Sequence, residues 1–323
     1  MLKQRSWLKY VTRLVITGMV AINSMAYLQA NALTHFAPEG RPPIQPESMS
    51  LLHKARVMIT GVTIPKPRNT HSPRDLGLPF ETRTITLTHD ASLEAWYIPS
   101  AHARGLVAMF HSYAASKESL LHPAKALHDL GYNTLLVDFR GAGGSTGYDT
   151  MLGVREADDV VATVDYIRQQ WPQQPLILYG VSMGSTAILR AIAHEHIQPS
   201  AVILESPFDR LTQTTRHRFE ALGLPAFPAS ELLLFWGSVQ QGFNAFSHNP
   251  VAYAPAVTCP TLLLYGADDP RVTEGETQTI FAQLAGPKTL VRVPQAGHEL
   301  LQLAAPDLWT EHVSAFLTQH ATQ

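Results

Sequence analysis

Cysteine is nearly missing from this chain. Cys259 stands alone among 323 residues, which excludes an internal disulfide and a cysteine-based metal site. An excess of either charge is missing too: 24 Lys and Arg against 26 Asp and Glu leave a net charge of −2. The basic residues are scattered apart from a small cluster at the N-terminus, so nothing marks a nucleic-acid surface. Histidine is plentiful at 15, yet no HExxH pair occurs, and neither metal nor cofactor is expected. No internal repeat or low-complexity tract is visible. Hydrophobic residues make up 45% of the chain, enough for a sizeable core.

What is present begins with a charged and then apolar N-terminus. Lys3, Arg5, Lys9 and Arg13 precede the largely apolar run from Leu14 to Ala30. Positive charge ahead of such a run keeps the N-terminus in the cytoplasm and sends the rest across the membrane. At about 17 residues the run sits at the lower limit for a span, and Ala30-Asn31-Ala32 reads as a small-residue cleavage site. Two exported readings stand, a retained anchor over residues 1–32 or a cleaved signal peptide, beside the plainer one of a buried N-terminal helix of a cytoplasmic enzyme. Both exported readings put the remainder on the non-cytoplasmic side. Residues 33–80 follow as a proline-rich linker, with a short helix expected over Met49–Met58.

From residue 81 a single domain to 323 is expected. Arg83–Thr88 and Leu93–Ile98 flank a turn at His89-Asp90-Ala91 and read as an antiparallel pair. Then come short, continuously apolar runs: Leu106–Phe110, Thr134–Val137, Leu176–Tyr179, Ala201–Leu204, Thr261–Tyr265 and Thr289–Val293. Strands buried on both faces have this composition. Helical patterns separate most of them: Ser116–Leu130, Arg155–Gln170, Ser185–His194, Glu274–Leu284 and Pro306–Thr318. That alternation predicts an α/β fold with a mostly parallel twisted sheet and helices on both faces. The alternation breaks at about 207–256, where helices over Arg216–Leu222 and Glu231–Val239 are expected in a lid-like insertion.

The chemistry centres on Gly180-Val181-Ser182-Met183-Gly184. A G-x-S-x-G pentapeptide between an apolar strand and a helix makes a tight turn that lifts the serine into an exposed, strained position. A hydroxyl needs a positioned base to act as a nucleophile. His298, in Gln295-Ala296-Gly297-His298 after the last strand, is placed to be that base. The acid should follow the preceding strand, where Gly266-Ala267-Asp268-Asp269 offers two aspartates. The strand-Gly-x-x-Asp-x-x-Val spacing favours Asp269, with Asp268 second and Glu205 third. Acyl transfer also needs donors aimed at the oxyanion. The expected pair is the N–H of Met183 and the N–H of Tyr113, in the loop after Leu106–Phe110.

Taken in order, these segments resemble a known family. Phe110-His111-Ser112-Tyr113 looks like its HG-x oxyanion loop, and Asp138-Phe139-Arg140-Gly141-Ala142-Gly143-Gly144-Ser145 like its D-x-R-G-x-G-x-S segment. Gly180 to Gly184, Asn249-Pro250, Cys259-Pro260-Thr261, Gly266 to Asp269 and Gly297-His298 complete the set. The resemblance is to serine-aminopeptidase-like and α/β-hydrolase-domain-type esterases and acylglycerol lipases, over about residues 80–320. It implies the α/β-hydrolase fold, cleavage of carboxylic esters with no cofactor, and a small-molecule ester or acyl substrate with an apolar acyl part. Members often carry an N-terminal membrane segment, which favours the anchor and a membrane partner here. Where the family usually has glycine, this chain has Ser112. Phe208, Phe219, Phe227, Phe235, Trp236, Phe243 and Phe246 are expected either to wall an acyl pocket or to form the lid's own core. A thioesterase, peptidase or transacylase would use the same residues, and a silent, membrane-tethered binding module is the reading of a different class.

Overall fold

The computed structural model describes residues 2–39, 50, 52, 61 and 63–320. The helix expected over Met49–Met58 lies, but for Ser50 and Leu52, outside the described residues. Among them, eight strands form one sheet in the order β1-β2-β4-β3-β5-β6-β7-β8. The strands β1 (Glu81–Thr88) and β2 (Ala91–Ile98) pair antiparallel, and β2 pairs antiparallel with β4 (Asn133–Val137). The remaining neighbours are parallel: β3 (Leu106–Phe110), β5 (Leu176–Val181), β6 (Ala201–Glu205), β7 (Thr261–Gly266) and β8 (Lys288–Val293).

The continuous apolar runs follow from burial on both faces. In β3, Leu106, Ala108 and Phe110 enter one core layer, while Val107 and Met109 enter the other, the two-residue alternation of a strand. On the first face lie α3 (Glu156–Gln170), through Ala157, Val160, Val164 and Ile167, and α4 (Met183–Glu195), through Ala187, Ile188 and Ala191. On the second lie α2 (Leu121–Asp129) and α10 (Pro306–His320), which contribute Leu121, Ala124 and Leu127 and then Trp309, Val313 and Phe316. The helices α8 (Glu274–Gln283) and α9 (Leu301–Ala304) flank β8 in sequence.

The helix expected from Ser116 is two elements. A 3₁₀ turn spans Lys117–Leu120, and α2 begins only at Leu121. Pro123 explains the break: without an N–H and with a ring that clashes with the preceding turn, proline fits only the first turn of a helix.

Between β6 and β7 the chain forms α5 (Leu211–Ala221), α6 (Ala229–Gln241) and α7 (Pro250–Tyr253). Leu234 of α6 joins Phe208, Leu211, Ala245 and Val272 in a small separate core. The other side of α6 packs on α1 (Leu2–Thr34), where Trp236 meets Tyr27 edge to face. Contacts on two sides account for the continuous apolar run Leu232–Trp236 within this helix. The expected acyl wall is not what the aromatics build. Phe227, Phe235 and Phe246 are exposed, and Phe208 and Phe243 belong to the insertion's own core. A helix and loop pair with so few core layers beneath it turns its rings to itself and to solvent rather than into one pocket.

Candidate active site

Ser182 joins β5 directly to α4, with φ 51° and ψ −108°. Its neighbours leave no room for side chains. A Cβ on Gly180 would lie 2.6 Å from the carbonyl carbon of Gly184, and one on Gly184 would lie 2.3 Å from the Phe110 carbonyl oxygen. The Ser182 N–H donates to the Glu205 carbonyl at 2.8 Å, so the end of β6 also holds the turn.

The side chains expected to work together meet. Ser182 Oγ lies 2.9 Å from His298 Nε2, and His298 Nδ1 lies 2.7 Å from Asp269 Oδ2. The other Asp269 oxygen accepts from the N–H groups of Arg271 at 2.8 Å and Val272 at 3.0 Å. Burial pushes the Asp269 acid up, but the His298 contact and these N–H donors outweigh it and hold the carboxyl below its ordinary range. A carboxylate only accepts, so His298 donates from Nδ1 and offers Nε2 to the serine hydroxyl. Asp268 is exposed and its main chain bonds to the Ala296 carbonyl. Glu205 is fully buried: it accepts from the Tyr179 hydroxyl and Trp309 Nε1, each at 2.6 Å, and from the Leu301 N–H at 3.3 Å. It braces the chain after His298 rather than touching the imidazole.

The loop after β3 is held by buried side chains. His111 Nε2 accepts from the Phe139 N–H at 3.1 Å, so its Nδ1–H donates to the Ser112 carbonyl at 2.8 Å. In a trans peptide the following N–H points away from that carbonyl, which aims the Tyr113 N–H to the side opposite the His111 ring. Neither it nor the Met183 N–H, in the first turn of α4, has an acceptor among the described residues. The left-handed residue of this loop is Ala114, at φ 54°, and not Ser112. Serine in place of glycine at 112 therefore meets no backbone conflict.

Beneath the loop lies a cluster that sequence spacing does not reveal. Lys117 is fully buried, pairs with Asp138 and with Glu94 at 2.7 Å, and sits over the Trp96 ring. Asp138 also accepts from the Lys117 N–H at 2.7 Å, Asn69 Nδ2 at 2.8 Å and the Gly144 N–H at 3.0 Å. Burial raises the Asp138 acid, yet the Lys117 charge and these donors outweigh it and hold it low. Arg140, from the same segment, pairs with the buried Asp159 at 2.6 Å.

A cleft of about 80 Å³ separates this loop from His298, lined by Ser112, Ala115, Val181, His298 and Leu300 among others. Helix α5 contacts both the Tyr113 loop and the segment after Asp269: Arg218 lies 5.2 Å from the Tyr113 ring, and His217 bonds the Arg271 carbonyl at 3.2 Å. Among the described residues no cluster of His, Cys, Asp and Glu is arranged to hold a metal.

Comparison with known proteins agrees with this architecture. Residues 101–250 match the Hydrolase_4 family model, described as serine aminopeptidase, S33. The uncharacterized protein YqkD of Bacillus subtilis is 28% identical over 205 residues, which cover 62% of this chain and 67% of that one. The lysophosphatidylserine lipase ABHD12 of Macaca fascicularis is 25% identical over 244 residues, covering 67% of this chain and 59% of its own. Among solved structures, the Pyrococcus furiosus esterase Pf2001 superposes with a TM-score of 0.66 at 24% identity, over 80% of this chain and 98% of that one. The sheet order and strand-to-helix serine turn of this chain, with these similarities, make it a member of the α/β-hydrolase superfamily.

Proposed function

We propose that this protein hydrolyses carboxylic esters through a covalent acyl-enzyme on Ser182. One observation carries the reading: the unbroken relay from Asp269 through His298 to Ser182, at 2.7 and 2.9 Å. His298 Nε2 takes the hydroxyl proton as Ser182 Oγ bonds to the ester carbonyl carbon. The oxyanion that forms is held by the N–H groups of Met183 and Tyr113, each donor worth roughly 10²- to 10³-fold in rate. As the carbonyl re-forms, the alcohol leaves with the proton from His298. Water then attacks the acyl-serine by the same route, giving the acid and free enzyme. Asp269 stays ionised, holding the imidazole in its working tautomer and stabilising the imidazolium.

The substrate class follows from the cleft and the relatives. The cleft beside the serine sets Ala115, Val181 and Leu300 among the polar Ser112, Ser119, His298 and Glu299, which suits a small acyl part on the apolar side, and matched proteins are named lipase and esterase. The insertion over 207–256 acts as a lid. The N-terminal helix carries an apolar stretch, Lys9–Thr34, with a mean hydropathy of 1.4; its exposed part ahead of Asn23 anchors the protein, with the catalytic domain on the non-cytoplasmic side.

Fluorophosphonate labelling of the detergent-solubilised enzyme, with a panel of p-nitrophenyl esters, tests the reading. Wild type should label on Ser182 and hydrolyse esters. Ser182→Ala should lose labelling and roughly 10⁴-fold or more of the rate. Unlabelled but folded wild type, or an active alanine variant, would sink it.

A further inference from the structure

Helix α1 changes character halfway along. From Lys9 to Ile22 every side chain is exposed, among them Leu14, Ile16 and Met19. From Asn23 onward one face is covered. Ala26 is 9% exposed, Ala30 2% and Thr34 5%, and their four-residue spacing puts them in one line along the helix. Contacts with α6 hold this half in place. Trp236 Nε1–H donates to Asn23 at 3.2 Å, and Gln240 Nε2 donates to the Tyr27 carbonyl at 2.8 Å.

The end of α1 reaches the catalytic loop itself. The last carbonyls of a helix have no partner inside it, and here other segments supply them. The Thr34 carbonyl accepts from the Thr150 N–H at 2.9 Å. The Leu33 carbonyl accepts from the hydroxyl of Tyr113 at 2.7 Å. Phe36, just past the helix, packs on the Tyr113 ring with centroids 6.1 Å apart. Burial pushes the Tyr113 hydroxyl up to about 12, so it stays protonated and keeps donating. The residue whose N–H faces the oxyanion is thereby tied by its side chain to the N-terminal helix.

We infer that residues 23–34 are a working part of the active site, retained in the mature enzyme, where the Leu33 carbonyl positions Tyr113 and with it the oxyanion loop. This rests on Ser182 and the Tyr113 N–H acting as proposed above. It excludes maturation by a cut after Ala32, which would remove Asn23, Tyr27 and Ala30 and leave Leu33 without the helix that presents its carbonyl. The helix is thus a positioning element as well as an apolar segment.

The full chain in detergent micelles provides the test. Tyr113→Phe keeps the ring, its packing on Phe36 and Arg218, and the main-chain N–H, and loses the hydroxyl's bonds to the Leu33 carbonyl and to the Arg218 side chain. Its kcat on p-nitrophenyl butyrate should fall about 5- to 10-fold, the worth of one hydrogen bond, with KM within about twofold. Fluorophosphonate labelling should slow by a similar factor. Ala30→Arg, which wedges the docked face apart, should lower kcat likewise. Combined with Tyr113→Phe it should add little, since both act through one link. Leu14→Ala, on the exposed half, should leave kcat unchanged. Mass analysis of the mature membrane protein should find its first residue ahead of Asn23. A fully active mature chain beginning at Leu33, or Tyr113→Phe with wild-type kcat and labelling, overturns the inference. Should Ala30→Arg fail to fold, those two measurements still decide. A wild type that neither labels nor hydrolyses esters defeats the catalytic reading instead, before any variant is compared.

Discussion

At the turn around Ser182 the main chain does the holding. The Glu205 carbonyl takes the Ser182 N–H, and the Gly180 and Gly184 positions lie so close to neighbouring backbone that no Cβ fits. Across the cleft, the loop from His111 to Lys117 is held by side chains: the His111 ring, the buried Lys117 with Asp138 and Glu94, and the Tyr113 hydroxyl on Leu33. Close main-chain packing on both sides of the serine demands glycine at fixed spacing around it, so it leaves a local motif. Side-chain bracing draws on partners 21 to 80 positions away; His111 and Asp138 fall in segments with a recognisable pattern, but Lys117 and the Leu33 tie do not. The same cleft therefore has one wall that can be read from a pentapeptide and one that can be read only in part.

The sharpest way to break this contrast is to attack the side-chain wall. Lys117→Met leaves the fully buried Asp138 without its cation, Glu94 being partly exposed, and removing one partner of a buried pair costs roughly 3–5 kcal/mol. Urea unfolding followed by circular dichroism should show that loss. Its pH dependence has a definite sign. The folded Asp138 acid is held low, so its contribution is present above the ordinary aspartate value near 3.9 and fades as pH falls through the folded value. The gap between wild type and Lys117→Met should accordingly be widest near neutrality and narrow below about pH 4.

An attack on the main-chain wall comes next. Gly184→Ala puts a Cβ 2.3 Å from the Phe110 oxygen, and forcing extra volume into a packed site costs roughly 1–3 kcal/mol. The melting temperature should fall, and ester hydrolysis with it, because Met183 and Ser182 move together. Unchanged stability would mean that the strand-to-helix turn is held by something other than close backbone contact.

The smallest effect should come from His111→Asn, which shortens the reach from Phe139 to Ser112. The Ser112–Tyr113 peptide then loses its orienting bond, and kcat should drop about 10-fold while KM changes little. A wild-type kcat would show that the Tyr113 side-chain tie is sufficient by itself.

Much of the fold is legible in the sequence because burial on both faces of a parallel sheet forces continuous apolar runs. The strands over Leu106–Phe110 and Ala201–Leu204 differ by at most one residue from those observed. Ser182, Asp269 and His298 are legible for a related reason, since each follows a strand at fixed spacing and the three meet at the strand ends. The start of α2 was signalled by Pro123 and is missed when periodicity alone is followed. Other features carry no local signal. Lys117 reads as an ordinary surface lysine, and the tie between Tyr113 and Leu33 spans 80 positions. The orientation of Phe227, Phe235 and Phe246 was illegible as well, because a ring's direction depends on neighbours that the insertion acquires only when packed.

The backbone angles of Ser182 have a consequence for how this protein changes under selection. A φ of 51° with ψ −108° lies where a residue with a Cβ costs about 1–3 kcal/mol and glycine rests easily. Selection for thermal hardiness alone would drift this position toward glycine; with Ser182 as the proposed nucleophile, selection for turnover keeps the hydroxyl there. Stability and activity pull in opposite directions at this one residue.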